Sequence, residues 1–399
     1  EQEKAADASL ALTADESADG RYQPIIDKAA NGVDLVQIAQ VNANGVSRNL
    51  YSDFNIKSGG LILNNATKYA KTELGGYVDR NMFLAGRGAS VILNEVTSSR
   101  TSVLNGYLEV AGNRASVVIA NANGISINGL GFINADNAMI TTGKITGWAD
   151  GNIQTGKGLG DMLLAGSGFN GQGVGNLQIT THDLTIDRSE LYGHEITIDA
   201  SGSIASSGKL GGDDLRIEAA GDFSGSGEGF TEAAGNIDLR LGGALRQDKA
   251  SMKAGADLNI NADAVESVNN ALLYAGKDLS ITASKDIENK KSLLWAGENI
   301  SVTADGFANL DTALISCGQN AALKITNAFV NSGATVSSGS LTLTAASLTN
   351  SGQGAVSSAG DAALQIGGAL TNDNGTIYTA GTNKITAVTV ENSNSAYLH

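Results

Sequence analysis

The sequence has few of the residues that stabilise small disulfide-rich or aromatic-rich domains. Its 399 residues include one cysteine, one proline and 5% aromatic residues. A single cysteine, Cys317, excludes an intramolecular disulfide, and we expect it to be a small buried apolar residue. One proline beside 51 glycines fits neither collagen nor a proline-rich linker. With so few aromatics, a core must be built from Val, Ile, Leu and Ala, which suits stacked β-strands.

Charged residues are also scarce, and the acidic ones predominate. They make up 17% of the chain and give a net charge of −15, without a cluster of lysine or arginine. This balance argues against nucleic acid and against an anionic membrane as partners. No apolar run approaches the roughly 18 residues of a membrane-spanning helix, so we expect no membrane insertion. The start of the chain lacks the apolar stretch of a signal peptide, which leaves open whether such a peptide has been removed.

A repeat of 21 residues is the clearest positive feature. A glycine recurs at this step, each time after Ala, Ser or Cys, and apolar residues two apart follow it in most copies. The glycines are Gly255, Gly276, Gly297, Gly318, Gly339, Gly360 and Gly381. The apolar pairs include Leu258 with Ile260, Leu279 with Ile281, Ile300 with Val302, and Leu341 with Leu343.

These spacings predict short strands that stack on one another. Apolar residues two apart lie on one face of a strand, whereas the intervening Gly and Asn predict turns with positive φ. One such unit cannot bury its apolar face alone, so we expect an all-β solenoid with one turn per repeat. Asn331, Asn350 and Asn372 lie near one corner, where they either cap a turn or form a partial ladder.

Residues 33–143 differ from the repeats. They are denser in β-branched residues and contain several Asn-Gly-type turns. Three segments stand out. They are Gly45-Val46-Ser47-Arg48-Asn49 with Gly60-Leu61-Ile62-Leu63-Asn64-Asn65; Ala89-Ser90-Val91-Ile92-Leu93-Asn94-Glu95-Val96; and Leu108-Glu109-Val110-Ala111-Gly112 with Asn121-Ala122-Asn123-Gly124-Ile125, Gly131-Phe132-Ile133-Asn134 and Thr141-Thr142-Gly143.

In this order and spacing, the segments resemble the secretion domain of filamentous haemagglutinin and related two-partner secretion exoproteins. The 21-residue units resemble that family's haemagglutinin repeats. The resemblance implies a right-handed parallel β-helix with an N-terminal cap. It also implies a cap and secretion domain over residues 1–250, with its motif core at 33–143, and repeats of a stalk over residues 251–399.

The resemblance further implies a partner and a location. A dedicated outer-membrane transporter would recognise the secretion domain through its periplasmic domains. The chain would be the front of a large adhesin or haemagglutinin, secreted or displayed on a Gram-negative cell after passing through the periplasm. The full-length protein would bind a receptor on a host or neighbouring cell. Because the chain stops mid-pattern, we expect it to be part of something longer.

The turn residues of the motifs are the candidate contacts for the transporter. Each also has a purely structural interpretation, in which it only shapes a turn. Asparagine is suited to recognition because its exposed amide offers both donors and an acceptor. The candidates are Asn42, Gly45, Ser47, Asn49, Asn81, Leu84, Asn94, Glu95, Asn121, Asn123, Gly124 and Ile125.

The chain departs from the family pattern at two prolines. The family has Asn-Pro-Asn-Leu where this chain has Asn81-Met82-Phe83-Leu84, and Asn-Pro-Asn-Gly where it has Asn121-Ala122-Asn123-Gly124. Since proline presets φ in such turns, we expect Asn and Gly to form them here, and a transporter that reads them must differ in specificity. Ile127 and Leu130 replace a Cys-x-x-Cys that is frequent in the haemolysin and growth-inhibition branches, which argues against a haemolysin.

No pattern indicates catalysis, a metal or another cofactor. His182, His194 and His399 are too scattered for a metal site or a catalytic triad. Asp213 and Asp214 form the kind of carboxylate pair found in β-helical polysaccharide lyases and hydrolases, but neighbours on a strand point to opposite faces. We therefore predict a protein that is not an enzyme. One alternative is the front part of a contact-dependent growth-inhibition or haemolytic toxin; the other, a polysaccharide lyase or hydrolase, has only this pair in its favour.

Overall fold

The computed structural model describes Asp7 and residues 9–399, which form two compact units. The first runs to Ile204 and includes Gly208–Gly212; the second comprises Ala205–Ser207 and Asp213–His399. Residues 1–6 and 8, where the sequence shows no signal-peptide stretch, lie outside the described part. The division at residue 250, made on motif content, remains a prediction. No helix among the described residues is long and apolar enough to cross a membrane.

In the first unit, successive strands of the coil alternate among three parallel sheets, here called sheets one, two and three. The predicted all-β, right-handed parallel β-helix is confirmed. Sheet one contains Thr13–Ala14, Val46–Asp53, Val91–Val96, Ala115–Ala120, Ala135–Thr141, Asn176–Thr181 and Glu195–Ala200. Sheet two contains Ile25–Lys28, Asp34–Gln37, Leu61–Asn65, Tyr107–Gly112, Leu130–Ile133, Phe169–Asn170, Glu190–Tyr192 and Lys209–Gly212. Sheet three contains Ser102–Leu104, Ile125–Ile127, Met162–Leu164 and Leu184–Ile186.

Antiparallel strands form the predicted N-terminal cap. Thr13–Ala14 pairs antiparallel with Val46–Asp53, and Ile25–Lys28 pairs antiparallel with Asp34–Gln37. A 3₁₀ helix, Gly20–Tyr22, connects these two pairings. Parallel pairing begins where Asp34–Gln37 lies beside Leu61–Asn65. The cap therefore covers backbone groups that would otherwise be free at the first strand edges.

Two hairpins, which the sequence analysis did not predict, cover outer faces of this coil. Ala70–Thr72 with Gly76–Val78 packs on sheet two around Ile62, and the carboxylate of Glu109 accepts the N–H groups of its turn, from Glu73 and Leu74, at 2.8 Å each. Ile145–Gly147 with Gln154–Thr155 covers sheet one over Val46, Leu93 and Val118. Unbroken apolar runs such as 91–93 and 117–119 were the available signal, because such runs indicate strands buried on both faces.

The second unit has the same three kinds of parallel strand, in which buried and outward residues alternate except in its last three strands, which contain no buried residue. Its one cysteine, Cys317, is buried as predicted, and desolvation raises the pKa of its thiol.

The strands of the second unit follow the three patterns of the first. The strands that continue the sheet-one pattern are Asp214–Ala219, Ile237–Leu241, Leu258–Ala262, Leu279–Ala283, Ile300–Ala304, Asn320–Ile325, Ser340–Ala345, Ala362–Ile366 and Asn383–Thr386. Those of the sheet-two pattern are Phe230–Ala233, Ser251–Ala254, Leu272–Ala275, Leu293–Ala296, Leu314–Cys317, Thr335–Ser338, Ala355–Ser358, Thr376–Thr379 and Tyr397–Leu398. Those of the sheet-three pattern are Phe223–Ser226, Leu245–Asp248, Val265–Val268, Ile287–Lys290, Phe307–Leu310, Ala328–Ser332, Ser347–Ser351, Ala369–Asp373 and Thr389–Ser393; Ile204–Ser206 begins in the first unit and ends in the second.

The repeated glycines are required by close packing and not by their φ angles. None of the seven has positive φ, so that part of the sequence interpretation is wrong for them. A Cβ on Gly276 would lie 2.0 Å from the carbonyl oxygen of Gly255, and one on Gly297 would lie 2.1 Å from that of Gly276. Residues such as Asn270 and Lys291 adopt the positive-φ positions of the repeat instead.

A row of asparagines, buried except for its last member, Asn392, runs along one corner of the second unit. Each side-chain Nδ2 donates to the Oδ1 of the next asparagine along the chain at 2.7–2.8 Å. The sequence left Asn331, Asn350 and Asn372 as either turn caps or a partial ladder; they form a ladder, and Asn331 and Asn350 also donate to the carbonyl oxygens of Ala334 and Gly354 in their own turns. The members of the row are Asn289, Asn309, Asn331, Asn350, Asn372 and Asn392.

Candidate functional site

Two turns in the first unit share the sequence Asn-Ala-Asn-Gly, at residues 42–45 and 121–124. In each, the first asparagine Oδ1 accepts the backbone N–H two residues on, at 2.9 Å from Asn44 to Asn42 and 3.0 Å from Asn123 to Asn121. The closing glycine has φ of +86° at Gly45 and +114° at Gly124. The side chain of the first asparagine and the glycine backbone therefore form the turn without proline.

The second asparagine of each turn is exposed and binds a neighbouring loop. Asn44 donates from Nδ2 to the carbonyl oxygen of Ala149 at 2.8 Å, an oxygen that also accepts from Asn42 at 3.0 Å. Asn123 donates to the carbonyl oxygen of Ser98 at 2.8 Å. Each of these amides therefore combines a structural hydrogen bond with an accessible polar surface.

The turn at residues 81–84 also replaces proline with asparagine capping. Asn81 caps the 3₁₀ helix Met82–Leu84 by accepting the N–H of Phe83 at 2.9 Å. Its Nδ2 donates to the carbonyl oxygens of Ile38 and Asn64, and Leu84 is buried beneath the turn. Met82 and Phe83, in contrast, are 72% and 42% exposed. This turn thus presents an apolar pair where the family motif has Pro-Asn.

Ser47, Asn49 and Asn94 form an internal polar scaffold. Ser47 donates to the carbonyl oxygen of Ala39, and Asn49 accepts the N–H of the same residue at 2.8 Å. Asn94, paired in register with Asn49, accepts from the hydroxyl of Tyr51 at 3.0 Å. Burial raises the pKa of Tyr51, which keeps that hydroxyl protonated. All four of these polar side chains are buried, so they stabilise the rungs and offer no accessible surface.

Glu95 belongs to a half-buried cluster that the sequence analysis missed. It accepts from the Arg48 guanidinium at 2.7 Å, and that guanidinium lies over the rings of Tyr22 and Trp148 at 5.5 and 5.0 Å. Trp148 belongs to the hairpin on sheet one, and Tyr22 belongs to the cap. The ion pair therefore connects sheet one to both elements. Sequence spacing gave no signal for it, because its members are widely separated along the chain.

The structure places the candidate residues in separate turns and rungs rather than in one constellation. Asn123 is exposed, and Asn42 and Glu95 are partly exposed. The buried candidates are Gly45, Ser47, Asn49, Asn81, Leu84, Asn94, Asn121, Gly124 and Ile125. In the folded domain, a partner can therefore contact the side chain of Asn123 much more readily than that of Asn121, which is 1% exposed.

One cluster of side chains is close enough to hold a metal ion. The ligand atoms of Asp161, His182 and Asp183 lie within 4.8 Å of one another. Hydrogen bonds already account for this group. His182 Nδ1 lies 2.9 Å from Asp161 Oδ1, and this hydrogen bond raises the pKa of His182. The same carboxylate accepts the N–H of Asp183.

The candidate carboxylate pair has a structural role at Asp214. This side chain accepts the N–H of Asn236 at 2.6 Å and so joins two rungs.

The TPS secretion domain family matches residues 11–189. "Toxin CdiA" of Yersinia pestis is 39% identical over 198 residues, which is 48% of this chain and 6% of that protein. "16S rRNA endonuclease CdiA" of Enterobacter cloacae subsp. cloacae is 48% identical over 149 residues, which is 37% of this chain and 4% of that protein. The chain thus spans less than a tenth of the length of these relatives. The crystal structure of filamentous hemagglutinin secretion domain aligns with a TM-score of 0.44 and 19% identity, over 96% of this chain and 100% of that one.

Proposed function

Because this chain belongs to the exoproteins of the two-partner secretion pathway and carries their secretion domain over residues 11–189, we propose that its first unit is the export signal for a dedicated outer-membrane transporter. The observation that carries the proposal is that the family match lies wholly within this compact unit. Exoproteins of this kind are secreted or cell-surface proteins of Gram-negative bacteria, and this chain is one of them. The transporter's periplasmic domains would be the recognising partner.

We place the contact at the exposed asparagine of the second Asn-Ala-Asn-Gly turn. Asn123 presents its amide on the surface while Asn121 and Gly124 hold the backbone beneath it. The Nδ2 of Asn123 already donates to the carbonyl oxygen of Ser98 and to Oδ1 of Asn121. A partner would therefore donate to the Oδ1 of Asn123 at a preformed turn, which costs little ordering of the chain. The buried motif asparagines support recognition indirectly, because they fix the rungs on which this turn is displayed.

The test separates recognition from stability by comparing two residues of the same turn. Export is measured in cells that co-express the transporter, and the melting temperature is measured on the purified chain for the same variants. Asn123→Ala removes exposed hydrogen bonds that contribute at most about 1 kcal/mol, so we expect severalfold weaker export with little loss of stability. Asn121→Ala also removes buried bonds to Ser102 Oγ and to the Arg100 carbonyl, so its export should fall together with its melting temperature.

Asn259→Ala is the matched control for Asn123→Ala. Asn259 is exposed in the second unit and makes one side-chain bond, to Asp238 at 2.9 Å. It should leave export unchanged. If export tracks the melting temperature across all three variants, Asn123 is structural and recognition lies elsewhere on the domain.

We propose that the second unit begins a β-helical stalk. Its alternating strands bury one face and leave the other polar, which suits an extended display element. In the full-length protein, this stalk would hold an adhesive part that binds a receptor on a host or neighbouring cell. Neither unit is proposed to be an enzyme, since Asp214 of the candidate pair is engaged in joining rungs.

A second candidate function is the front part of a contact-dependent growth-inhibition toxin. The relatives "Toxin CdiA" and "16S rRNA endonuclease CdiA" favour it by their names. The same secretion domain would then export a toxic part located elsewhere in a longer protein. A co-culture assay distinguishes the two functions: killing of neighbouring cells supports the toxin, and attachment without killing supports the adhesin.

A further inference from the structure

An open groove crosses the outer face of sheet two in the first unit, outside the Asn-Ala-Asn-Gly turns. A row of residues paired in register across successive strands runs beneath it: Tyr107, Gly131, Asn170, Tyr192 and Gly211. Of these, Tyr107, Asn170 and Tyr192 line the groove. The two tyrosines are three strands apart, or about 14 Å at the usual spacing of parallel strands. The row lies on a sheet face, where the backbone groups are already paired, so it offers no edge for an added strand.

Each tyrosine ring lies against a glycine of the next strand in the row, with its face toward Gly131 for Tyr107 and with its edge toward Gly211 for Tyr192. A Cβ on Gly131 would lie 2.4 Å from Cε1 of Tyr107, and a Cβ on Gly211 would lie 2.3 Å from Cε1 of Tyr192. The rings therefore occupy the space of absent side chains and lie across the sheet. Asn170 donates to the Tyr107 hydroxyl at 3.1 Å, which holds that ring in place. Tyr107 is nevertheless 39% exposed, because the side of its ring away from the glycine is uncovered.

The walls of the groove supply neutral polar groups. Asn105, Asn128, Ser167 and Gln172 line it, together with Glu190, whose carboxylate is paired with Lys209 at 2.9 Å. Asn128 accepts the N–H of Ser167 at 2.8 Å through Oδ1, which orients its amide while its Nδ2 donates to no described residue. None of the lining residues is lysine or arginine. Polyanions therefore find no counter-charge in the lining, and the net charge of −15 repels them as well.

We propose that this groove binds a neutral oligosaccharide. Accessible aromatic rings present apolar surface to the C–H faces of sugar rings, and amide and hydroxyl side chains beside them bind sugar hydroxyls. Two such rings about 14 Å apart require a ligand of several linked sugars. The site is independent of the transporter, and its chemistry does not depend on the export function proposed above.

The test uses the purified chain and four neutral tetrasaccharides: cellotetraose, maltotetraose, laminaritetraose and tetra-N-acetylchitotetraose. Tetragalacturonate is the acidic comparison. Saturation-transfer NMR and calorimetry should give a dissociation constant at or below about 1 mM, or roughly −4 kcal/mol, for at least one neutral sugar. Tyr107→Ala and Tyr192→Ala should each weaken that binding at least tenfold. Tyr378→Ala is the matched control, because Tyr378 is 41% exposed in the second unit, and it should have no effect.

A further variant guards against loss of folding. Asn128 is exposed, so Asn128→Ala should melt like the wild type and still weaken sugar binding at least threefold. The proposal is overturned if no neutral tetrasaccharide binds, if tetragalacturonate binds equally well, or if the folded tyrosine and Asn128 variants bind like the wild type. It is also overturned if the groove binds members of a random peptide library and no sugar.

Discussion

Replacing Asn331 with alanine will break the buried asparagine row at its middle. The side chain of Asn331 is 0% exposed. Its Oδ1 accepts from Asn309 at 2.8 Å, and its Nδ2 lies within bonding distance of Asn350 Oδ1 at 2.8 Å and of the carbonyl oxygens of Ala334 and Ala355 at 3.0 and 3.2 Å. Alanine removes all of these bonds.

The expected loss follows from the partners left behind. A typical intramolecular hydrogen bond contributes about 1 kcal/mol net, and a buried group left without a partner costs about 1–3 kcal/mol. Asn309 keeps a second bond, to the carbonyl oxygen of Thr335, whereas Oδ1 of Asn350 loses the donor that Asn331 supplies. We therefore expect the free energy of unfolding of the second unit to fall by about 3–5 kcal/mol.

Urea unfolding followed by far-ultraviolet circular dichroism measures this loss. Asn259→Ala is the control, because Asn259 is exposed and makes one side-chain bond; it should cost less than about 1 kcal/mol. If Asn331→Ala costs no more than the control, the row contributes nothing beyond ordinary surface hydrogen bonding, and the reasoning is refuted.

Two further predictions concern the core and one buried carboxyl. Ile281 is 1% exposed, so the variant Ile281→Asp buries an unpaired charge and should destabilise the turns around it. Limited proteolysis should then cleave the variant near Gly276. An unchanged digestion pattern would count against the inward position of Ile281. Burial raises the pKa of Glu109 above its ordinary value, so the folded chain holds this proton more tightly than the unfolded chain. The free energy of unfolding therefore falls as the pH rises from the unfolded pKa of this carboxyl through its folded pKa. The melting temperature of the wild type minus that of Glu109→Gln should therefore shrink between about pH 4 and pH 7; a difference that grows with pH would contradict this assignment.

The second unit was predictable because its strands repeat the same pattern of alternating apolar and polar residues. Apolar residues such as Ile260, Ile281 and Val302 align in register and are all buried. The repeat could not reveal why glycine recurs. The sequence suggests a need for positive φ. In the structure, these positions require glycine because a carbonyl oxygen of the previous turn occupies the space where a Cβ would lie. That reason becomes visible only when the turns are stacked.

The candidate site was predictable as a set of turns but not as a surface. Asn121 and Asn123 belong to one tetrapeptide, yet one faces the interior and the other faces solvent. The direction of each side chain depends on which loop lies beside the turn. Here that loop contains Ser98, whose carbonyl oxygen accepts from Asn123, and nothing in the local sequence specifies this contact. The two hairpins escaped prediction for a related reason, since each interrupts the coil and packs on strands distant along the chain.

The asparagine row has a polarity. Every amide donates to the asparagine that follows it, so Asn289 is left with an Oδ1 that no described residue binds, and Asn392 presents the last Nδ2 of the series. Amides aligned head to tail polarise one another, so each added member strengthens those before it. A coil that grows from its N-terminal end therefore offers each incoming turn an oriented donor. A strand that slips by one residue turns its asparagine outward and loses that bond, so the row stays continuous only when every turn is in register.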